Sequence, residues 1–175
     1  PCLAFSPGDR PDRMKDTTRN LTEHPFFIVH IVNEALAEAM NTTCGDFGAH
    51  VDEFSEAHLT AVPGTAVEVP RVAEAPVAFE CKVTHHLRLG REAPLVSHIV
   101  GEILHFHIDD ALLNEKGYIQ PEVLQAVGRM GGIGYSRTSD RFNIVRPVIA
   151  RDDPKGLGAN TETPAQAAVP LSRKR

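Results

Sequence analysis

Residues Val77–Leu89, with the sequence VAFECKVTHHLRL, alternate between apolar and polar side chains. In an extended strand this pattern puts Phe79 and Cys81 on one face and Glu80 on the other. Such a period of two is typical of an antiparallel strand that has one face in the core and one face in water. After a turn, a second long strand is predicted over residues 95–108, so that the two strands form a hairpin. This hairpin predicts a mainly β, antiparallel fold.

The flanking segments predict further strands and short helices around the hairpin. An apolar run at residues 26–32 indicates a strand buried on both faces, and a last short strand is predicted at residues 142–145. The predicted helices are short: residues 17–23, capped by Asp16 or Thr17; about 34–42, capped by Asn33; one or two turns from Pro121; and an acidic cluster at 52–56 that is either a solvated face or a short helix. Long strands that pair locally, with short helices outside them, predict an antiparallel barrel or sandwich.

Composition excludes several classes of protein. The 175 residues include 18 Lys+Arg and 23 Asp+Glu, so the formal net charge is −5, which argues against nucleic-acid binding. No apolar run approaches the roughly 18 residues that a bilayer span requires, which argues against a membrane protein. The three cysteines form no CxxC pair and no complete disulfide framework. We therefore expect a reducing, cytoplasmic location.

Residues 148–175 combine three prolines with a basic end and lack apolar periodicity, so they predict a disordered tail after a single domain at residues 1–147.

Three residues two apart on the second predicted strand suggest a metal site. His105, His107 and Asp109 would share one face, and two histidines with a carboxylate are a ligand set for a metal ion. Same-face neighbours on one strand stand about 7 Å apart, whereas metal ligands lie about 2.0–2.2 Å from the ion. A metal-dependent enzyme built on these residues would need a further element. The alternative is a structural or cofactor-lining role for the histidines.

The segment Arg10–Asn20 carries cations and hydroxyl side chains close to a predicted helix start. Free N–H groups and the positive end of the helix dipole favour a phosphate at such a position. The carboxylate of Asp16 opposes an anion unless it caps the helix or pairs with a neighbouring cation. The segment is therefore either a phosphate site or a charged, solvated turn.

A glycine-rich segment at residues 128–135 is a third candidate. It is not a GxGxxG motif and it follows a helix, so a Rossmann site is rejected. Its four glycines permit close approach to a flat ligand or another chain, with Arg129 and Tyr135 at the edges; the alternative is a tight loop. There is no GxSxG motif, and Cys81 lies on the predicted apolar face, so nucleophilic catalysis is not indicated.

In their order along the chain, these motifs resemble the flavin reductase-like family with the FMN-binding split-barrel fold. The resemblance covers residues 1–147. The pieces that carry it are Pro1-Cys2-Leu3-Ala4-Phe5-Ser6, Lys15-Asp16-Thr17, Asp52-Glu53-Phe54, Phe79-Glu80-Cys81, Gly101-Glu102-Ile103-Leu104-His105, Gly128-Arg129-Met130-Gly131-Gly132 with Tyr135, and Arg146-Pro147.

The resemblance implies a homodimeric enzyme that reduces FMN with NAD(P)H as co-substrate, with the flavin near the subunit interface. It also implies a partner monooxygenase that receives the reduced flavin. A non-enzymatic FMN carrier of the same fold is the alternative. No catalytic acid or base is expected, since hydride transfer is the chemistry of the cofactors.

By the same resemblance, specific residues are expected to bind the cofactor. Lys15, Asp16 and Thr17 would lie at the flavin phosphate, and Ser6 at the ribityl and phosphate region. The flavin ring or nicotinamide pocket would be lined by His105, Arg129 and Tyr135. Family members have roughly one further strand-turn-strand unit before the position of Pro1, so the barrel is expected to lack its N-terminal strands in this chain.

Overall fold

The hairpin predicted from the alternating sequence lies at the centre of the fold. The computed structural model describes residues 1–92 and 94–145, and its two longest strands are β5 (Val77–Leu89) and β6 (Val96–Ile108). They pair antiparallel over their full length, from Val77 opposite Ile108 to Leu89 opposite Val96. The predicted hairpin is therefore confirmed.

Two short strands flank the hairpin. The strand β1 (Cys2–Phe5) pairs with β6, and β2 (Phe26–His30) pairs with β5, which gives a four-stranded antiparallel sheet of order β1-β6-β5-β2. Two further sheets have two strands each: β3 (Ala61–Val62) with β4 (Arg71–Val72), and β7 (Val127–Arg129) with β8 (Tyr135–Arg137).

All helices in the described ranges are short. They are α1 (Asp16–Glu23), α2 (Ala37–Thr43), α3 (Glu53–Glu56) and α4 (Pro121–Leu124), with 3-10 turns at Glu34–Leu36 and Asp110–Leu112. The side chain of Asn33 accepts a hydrogen bond from the Leu36 N–H at 3.0 Å, as its predicted capping role requires. The acidic cluster does form a helix, with Asp52 as its cap. None of these helices is long and apolar enough to cross a membrane.

The core lies where α1 packs on the four-stranded sheet. Leu21, Phe27, Cys81 and Ile99 form a buried cluster, and the Phe5 and Phe27 rings stand 5.2 Å apart between centroids. Burial raises the pKa of the Cys81 thiol to about 11, so the group stays protonated at neutral pH. The expectation that Cys81 is a small core residue is confirmed.

The prediction of a wet face on β5 is wrong at Glu80. Its side chain is fully buried, as is that of the next residue, Cys81. The register of the β5–β6 pair shifts between these two residues, and a shift of this kind interrupts strict alternation. The carboxylate has hydrogen-bond partners in the loop before β4, which explains why its burial is tolerated.

Three smaller expectations are also wrong. Residues 142–145 form no strand; the glycine-rich segment instead closes the β7–β8 hairpin. The N-cap of α1 is Lys15, which makes no side-chain cap hydrogen bond, rather than Asp16 or Thr17. In β2 only Phe27 is buried, so this strand is not covered on both faces.

Internal contacts divide the chain into a unit at Pro1–Thr138 and a second at Ser139–Arg175. The described part of the second unit, residues 139–145, contains neither helix nor strand. The predicted tail at residues 148–175 and the Arg146-Pro147 pair lie outside the described residues.

Candidate functional site

The start of α1 opens into a cleft of about 190 Å³ that contains the Lys15-Asp16-Thr17 triplet. The loop before the helix contributes Arg10 and Arg13, and the chain after α2 closes the opposite side with Thr43 to Phe47. The local sequence explains this geometry, because Pro11 and Gly8 favour a loop and the apolar Leu21 fixes α1 on the core. The triplet, which the family resemblance singled out within the segment Arg10–Asn20, thus lies at a helix N-terminus.

Cations and carboxylates balance each other in this cleft. Asp46 pairs with Arg10 at 2.9 Å and also with Arg13, so one carboxylate holds both guanidinium groups. Asp16 pairs with Arg19 at 2.7 Å. Asp16 therefore does not cap the helix, but it does pair with a neighbouring cation, which was one of the two conditions for an anion site.

Glu53 forms the acidic wall of the cleft. Burial, and then the nearby Asp16 carboxylate, raises the pKa of Glu53, while the Lys15 ammonium opposes this rise. Within the described residues, the Lys15 ammonium has no salt bridge to any carboxylate, unlike Arg10 and Arg13. Lys15 is therefore the basic side chain of the cleft that is available to an incoming anion.

These donors fit a phosphate monoester. The first N–H groups of a helix have no partner within the helix. The side chain of the N-cap residue Lys15 makes no capping hydrogen bond, while the backbone N–H of Lys15 donates to Oδ1 of Asp9 at 3.4 Å. A phosphate at this position would receive those N–H groups, the Lys15 ammonium and the Thr17 hydroxyl, and it would compete with Asp46 for Arg10 and Arg13. The composition of the cleft thus suits the phosphate end of a mononucleotide.

Arg129 and Tyr135 lie together in the β7–β8 hairpin. Nη1 of Arg129 donates to the Tyr135 hydroxyl at 2.6 Å, and its guanidinium carbon lies 4.9 Å from the centre of the tyrosine ring. Nη2 of Arg129 donates to the carbonyl oxygen of Gly132 at 2.7 Å, and Gly132 has the positive φ of 62° that a glycine tolerates. The arginine therefore fixes the shape of the glycine-rich turn.

The Arg129–Tyr135 pair is linked to the cleft at the start of α1 through side-chain contacts with α2 and the residue that follows it. The Tyr135 hydroxyl is 3.9 Å from the Met40 sulfur, and that sulfur is 4.0 Å from the Cys44 thiol, which lines the cleft. The chain of contacts is continuous, although neither Arg129 nor Tyr135 lines the cleft itself.

Ser6 and His105 lie elsewhere in the described structure. The Ser6 hydroxyl is 2.9 Å from Nδ1 of His98, and neither residue lines the cleft at α1. The His105 ring contacts the His107 ring edge to face, with centroids 4.7 Å apart, and Nε2 of His107 is 2.5 Å from the Glu80 carboxylate. Of the seven residues predicted to bind flavin, Lys15, Asp16 and Thr17 share the cleft and the other four do not.

The predicted His105–His107–Asp109 metal set does not assemble. The His107 ring is engaged by Glu80, and Oδ1 of Asp109 accepts a hydrogen bond from the Ala111 N–H at 2.9 Å. Among the described residues, no three His, Cys, Asp or Glu side chains are arranged to hold a metal ion. Side chains two apart on one strand do not converge on a metal ion unless another strand or helix adds a ligand, and no described strand or helix does so.

The sequence did not indicate Asp46 or Thr43 as residues of the cleft. Both come from the end of α2 and the loop after it, more than 20 residues from the triplet, and no local pattern marks them. The acidic cluster was predicted as a solvated face or a helix, and its position beside Lys15 emerges only in the folded chain.

Comparison with known proteins assigns the family. Residues 1–127 match the family model described as the flavin reductase like domain, so the chain belongs to this family. A protein of Deinococcus radiodurans without an assigned function is 38% identical over 154 residues, which are 86% of this chain and 66% of that protein.

Solved structures agree with this assignment. Component B of nitrilotriacetate monooxygenase from Bacillus cereus is 30% identical, with a TM-score of 0.77 over 82% of this chain and 72% of that one. The 2-nitrobenzoate 2-nitroreductase of Pseudomonas fluorescens is also 30% identical, with a TM-score of 0.74 over 86% and 72% of the two chains. A Shewanella frigidimarina protein with a split barrel domain has a TM-score of 0.70 at 21% identity, over 86% and 71%. The fold is therefore the antiparallel split barrel of flavin reductase-like proteins, with few short helices.

Proposed function

We propose that this chain is an NAD(P)H-dependent FMN reductase that supplies reduced flavin to a partner monooxygenase. Family membership supports oxidoreductase chemistry on a flavin. The observation that carries the proposal is the cleft at the start of α1. There the helix N–H groups and the Lys15 ammonium, which has no salt bridge within the described ranges, suit a flavin phosphate. The partner is proposed from the similarity to component B of a monooxygenase.

In this proposal, FMN when bound supplies the chemistry, since its ring accepts a hydride from the reduced nicotinamide and passes electrons on. The protein binds the flavin and orients it toward the nicotinamide. Lys15 and Thr17 hold the phosphate, and Asp16 keeps Arg19 in place at the helix start. Ser6 and His105 are proposed to line the remainder of the flavin and nicotinamide site.

Arg129 is proposed to act at the ring end of the flavin. Its guanidinium is held by the Tyr135 hydroxyl and the Gly132 carbonyl, so its position is fixed before any ligand binds. A fixed positive charge near a flavin ring favours the reduced, anionic form. Tyr135 is proposed as the positioning residue for this charge.

We further propose that two copies of the chain associate. The strand β6 presents Leu104, Phe106 and Ile108 on one face, and these apolar side chains are 41%, 45% and 37% exposed. A row of apolar side chains that is exposed in the single chain is typical of a surface that another protein molecule covers. A second copy is the proposed occupant, and sedimentation of the intact protein should give the dimer mass, whereas Phe106→Lys should shift it toward the monomer.

The test of activity is steady-state oxidation of NADH and of NADPH by the purified protein with FMN, followed at the nicotinamide absorbance. Consumption well above that of the flavin-only blank supports the reductase. FMN binding without such consumption would leave the carrier function in its place. If the protein neither binds FMN nor consumes the reduced nicotinamide, both the reductase and the carrier function are contradicted.

A further inference from the structure

A second, mainly apolar cavity lies between β2, α2 and β4. It has a volume of about 240 Å³ and is lined by Val32, Leu36, Met40, Leu59, Val72 and Ala75, together with His30 and Thr43. An adjoining cleft of about 250 Å³ shares His30, Thr43, Leu59 and Val72 with it. Thr43 also lines the cleft at α1, so the cavity adjoins the proposed phosphate site.

The size of the cavity suits one aromatic ring. A dry apolar cavity of about 150 Å³ is enough to bind benzene in other proteins, and drug-sized ligands need about 300 Å³ or more. The 240 Å³ of this cavity, taken without the adjoining cleft of about 250 Å³, suits a single ring with one small substituent.

His30 lines both this cavity and the adjoining cleft, and it is the only ionisable side chain among the described residues that line the cavity. The backbone N–H of Val72 donates to Nε2 of His30 at 3.0 Å, and because an N–H can only donate, Nε2 carries no proton. The neutral ring then carries its proton on Nδ1. Burial first, and then the charges of Arg71 and His107, lowers the pKa of His30, which keeps the ring neutral at physiological pH.

The Nδ1–H group has no acceptor among the described residues: the hydrogen bond from Val72 engages only the other ring nitrogen. The remaining polar side chain of the lining is the Thr43 hydroxyl, which donates to the Met40 carbonyl at 2.8 Å. An apolar cavity with one unused N–H donor selects a ligand that is mostly apolar and carries one acceptor oxygen.

We propose that this cavity binds a small, neutral aromatic compound with a carbonyl-type acceptor oxygen, which receives a hydrogen bond from Nδ1 of His30. The ring of the ligand packs against Leu36, Met40 and Val72. A charged ligand is disfavoured, because its ion would be desolvated by the apolar lining.

Methyl NMR of the full chain tests the site directly. The chain has three methionines, so a sample labelled at the methionine methyl carbons gives three signals. Met40 lines the cavity, whereas Met14 and Met130 are 44% and 58% exposed and serve as internal controls. Acetophenone is the probe, and α-methylstyrene, which replaces the carbonyl oxygen by a methylene group, is its matched partner.

We expect acetophenone at millimolar concentration to shift the Met40 signal selectively and to bind about three- to tenfold more tightly than α-methylstyrene. Equal affinities for the two compounds would overturn the role of His30. The absence of any Met40 shift with acetophenone, or equal shifts of all three methyl signals, would overturn the site.

Two variants sharpen the test. His30→Phe keeps a ring but removes the donor, so both compounds should bind it with the affinity that α-methylstyrene has for the unmodified protein. Because this change also removes the acceptor of the Val72 N–H, a second variant is needed in case it does not fold. Ala75→Leu fills the cavity and should abolish the Met40 shift, whereas Ala73→Leu, the same change at an exposed position, should not. Retained binding by folded Ala75→Leu would contradict the proposal.

Discussion

The fully buried carboxylate of Glu80 lies 2.5 Å from Nε2 of His107 on the neighbouring strand. The same carboxylate accepts hydrogen bonds from the backbone N–H groups of Thr65, Ala66 and Val67, at 2.7, 2.6 and 3.0 Å. One side chain thus fastens the loop between β3 and β4 to the central hairpin. This loop leads into β4, whose Val72 engages His30.

Glu80→Gln should destabilise the protein. A glutamine keeps one acceptor oxygen but directs an NH₂ group at N–H donors, so at least one buried donor loses its partner. We expect the free energy of unfolding to fall by about 2–4 kcal/mol, measured by urea denaturation. Glu102→Gln, on the exposed side of β6, is the matched control and should change stability little. Equal stabilities of the two variants would show that the buried carboxylate does not hold the loop.

The stability contributed by Glu80 should depend on acid pH. Hydrogen bonds from His107 and the three backbone N–H groups outweigh burial and lower the pKa of Glu80 from 4.5 to about 2. Because the pKa is lower in the folded state, the contribution is fully present above about pH 4.5 and is lost as pH falls toward 2. The difference corresponds to roughly 3 kcal/mol. Urea denaturation at pH 5 and pH 3 should show a larger loss for the unmodified protein than for Glu80→Gln, since other carboxylates titrate in both.

The sequence predicted those features that depend on local pattern. Alternation over Val77–Leu89 predicted the central hairpin because each strand buries one face along its length. The burial of Glu80 was not predictable, since its N–H partners lie 13 to 15 residues away in a loop without periodicity.

In the candidate site too, features that depend on local sequence were predicted, and contacts between residues distant in sequence were not. The Lys15-Asp16-Thr17 triplet was predicted at a helix start because cations and hydroxyl groups cluster there in sequence. The double pairing of Asp46 with Arg10 and Arg13 bridges more than 30 residues, and nothing near Asp46 in the sequence indicates it. The assignment of Ser6, His105, Arg129 and Tyr135 to the flavin came from the family resemblance. The residue pattern by itself had marked His105 only as a metal ligand or cofactor-lining residue, and Arg129 and Tyr135 only as the edges of a glycine-rich segment.

Lys15→Ala should weaken binding of FMN more than binding of riboflavin. The variant removes the ammonium that has no salt bridge within the described residues, and riboflavin has no phosphate for it to contact. We expect FMN affinity to fall by about 10- to 100-fold, with riboflavin affinity unchanged, in a fluorescence titration. Lys116→Ala, in the exposed turn after the Asp110–Leu112 segment, is the control. Equal losses for both flavins would show that Lys15 does not contact the phosphate.

Arg129→Gln should lower the midpoint potential of bound flavin. Removing a fixed positive charge disfavours the reduced, anionic form, and a loss of about 1.4 kcal/mol corresponds to about 30 mV for two electrons. Tyr135→Phe retains the charge but loses the hydroxyl that accepts from Arg129, so a smaller shift is expected. Spectroelectrochemical titration measures both. An unchanged potential in Arg129→Gln would place its charge away from the flavin ring.

Gly101→Ala should lower the free energy of unfolding of the protein in the absence of flavin. An added Cβ would lie 2.5 Å from Cζ and 2.7 Å from Cε1 of Phe27, and the Phe27 ring is itself packed against Phe5. Overpacking of this kind costs about 1–3 kcal/mol. Gly131→Ala is the control, because a Cβ added there would meet no described atom within 4 Å beyond its chain neighbours, and the φ of Gly131 is not positive.

The close packing of Gly101 against Phe27 also predicts that a smaller side chain at position 27 reduces the stability cost of Gly101→Ala. In Phe27→Leu the smaller side chain leaves room for the new methyl group, so Gly101→Ala should cost less in that background than in the unmodified protein. Urea denaturation of the four proteins in this cycle measures the coupling. If Gly101→Ala costs the same in both backgrounds, the close approach of Phe27 is not what requires a glycine at position 101.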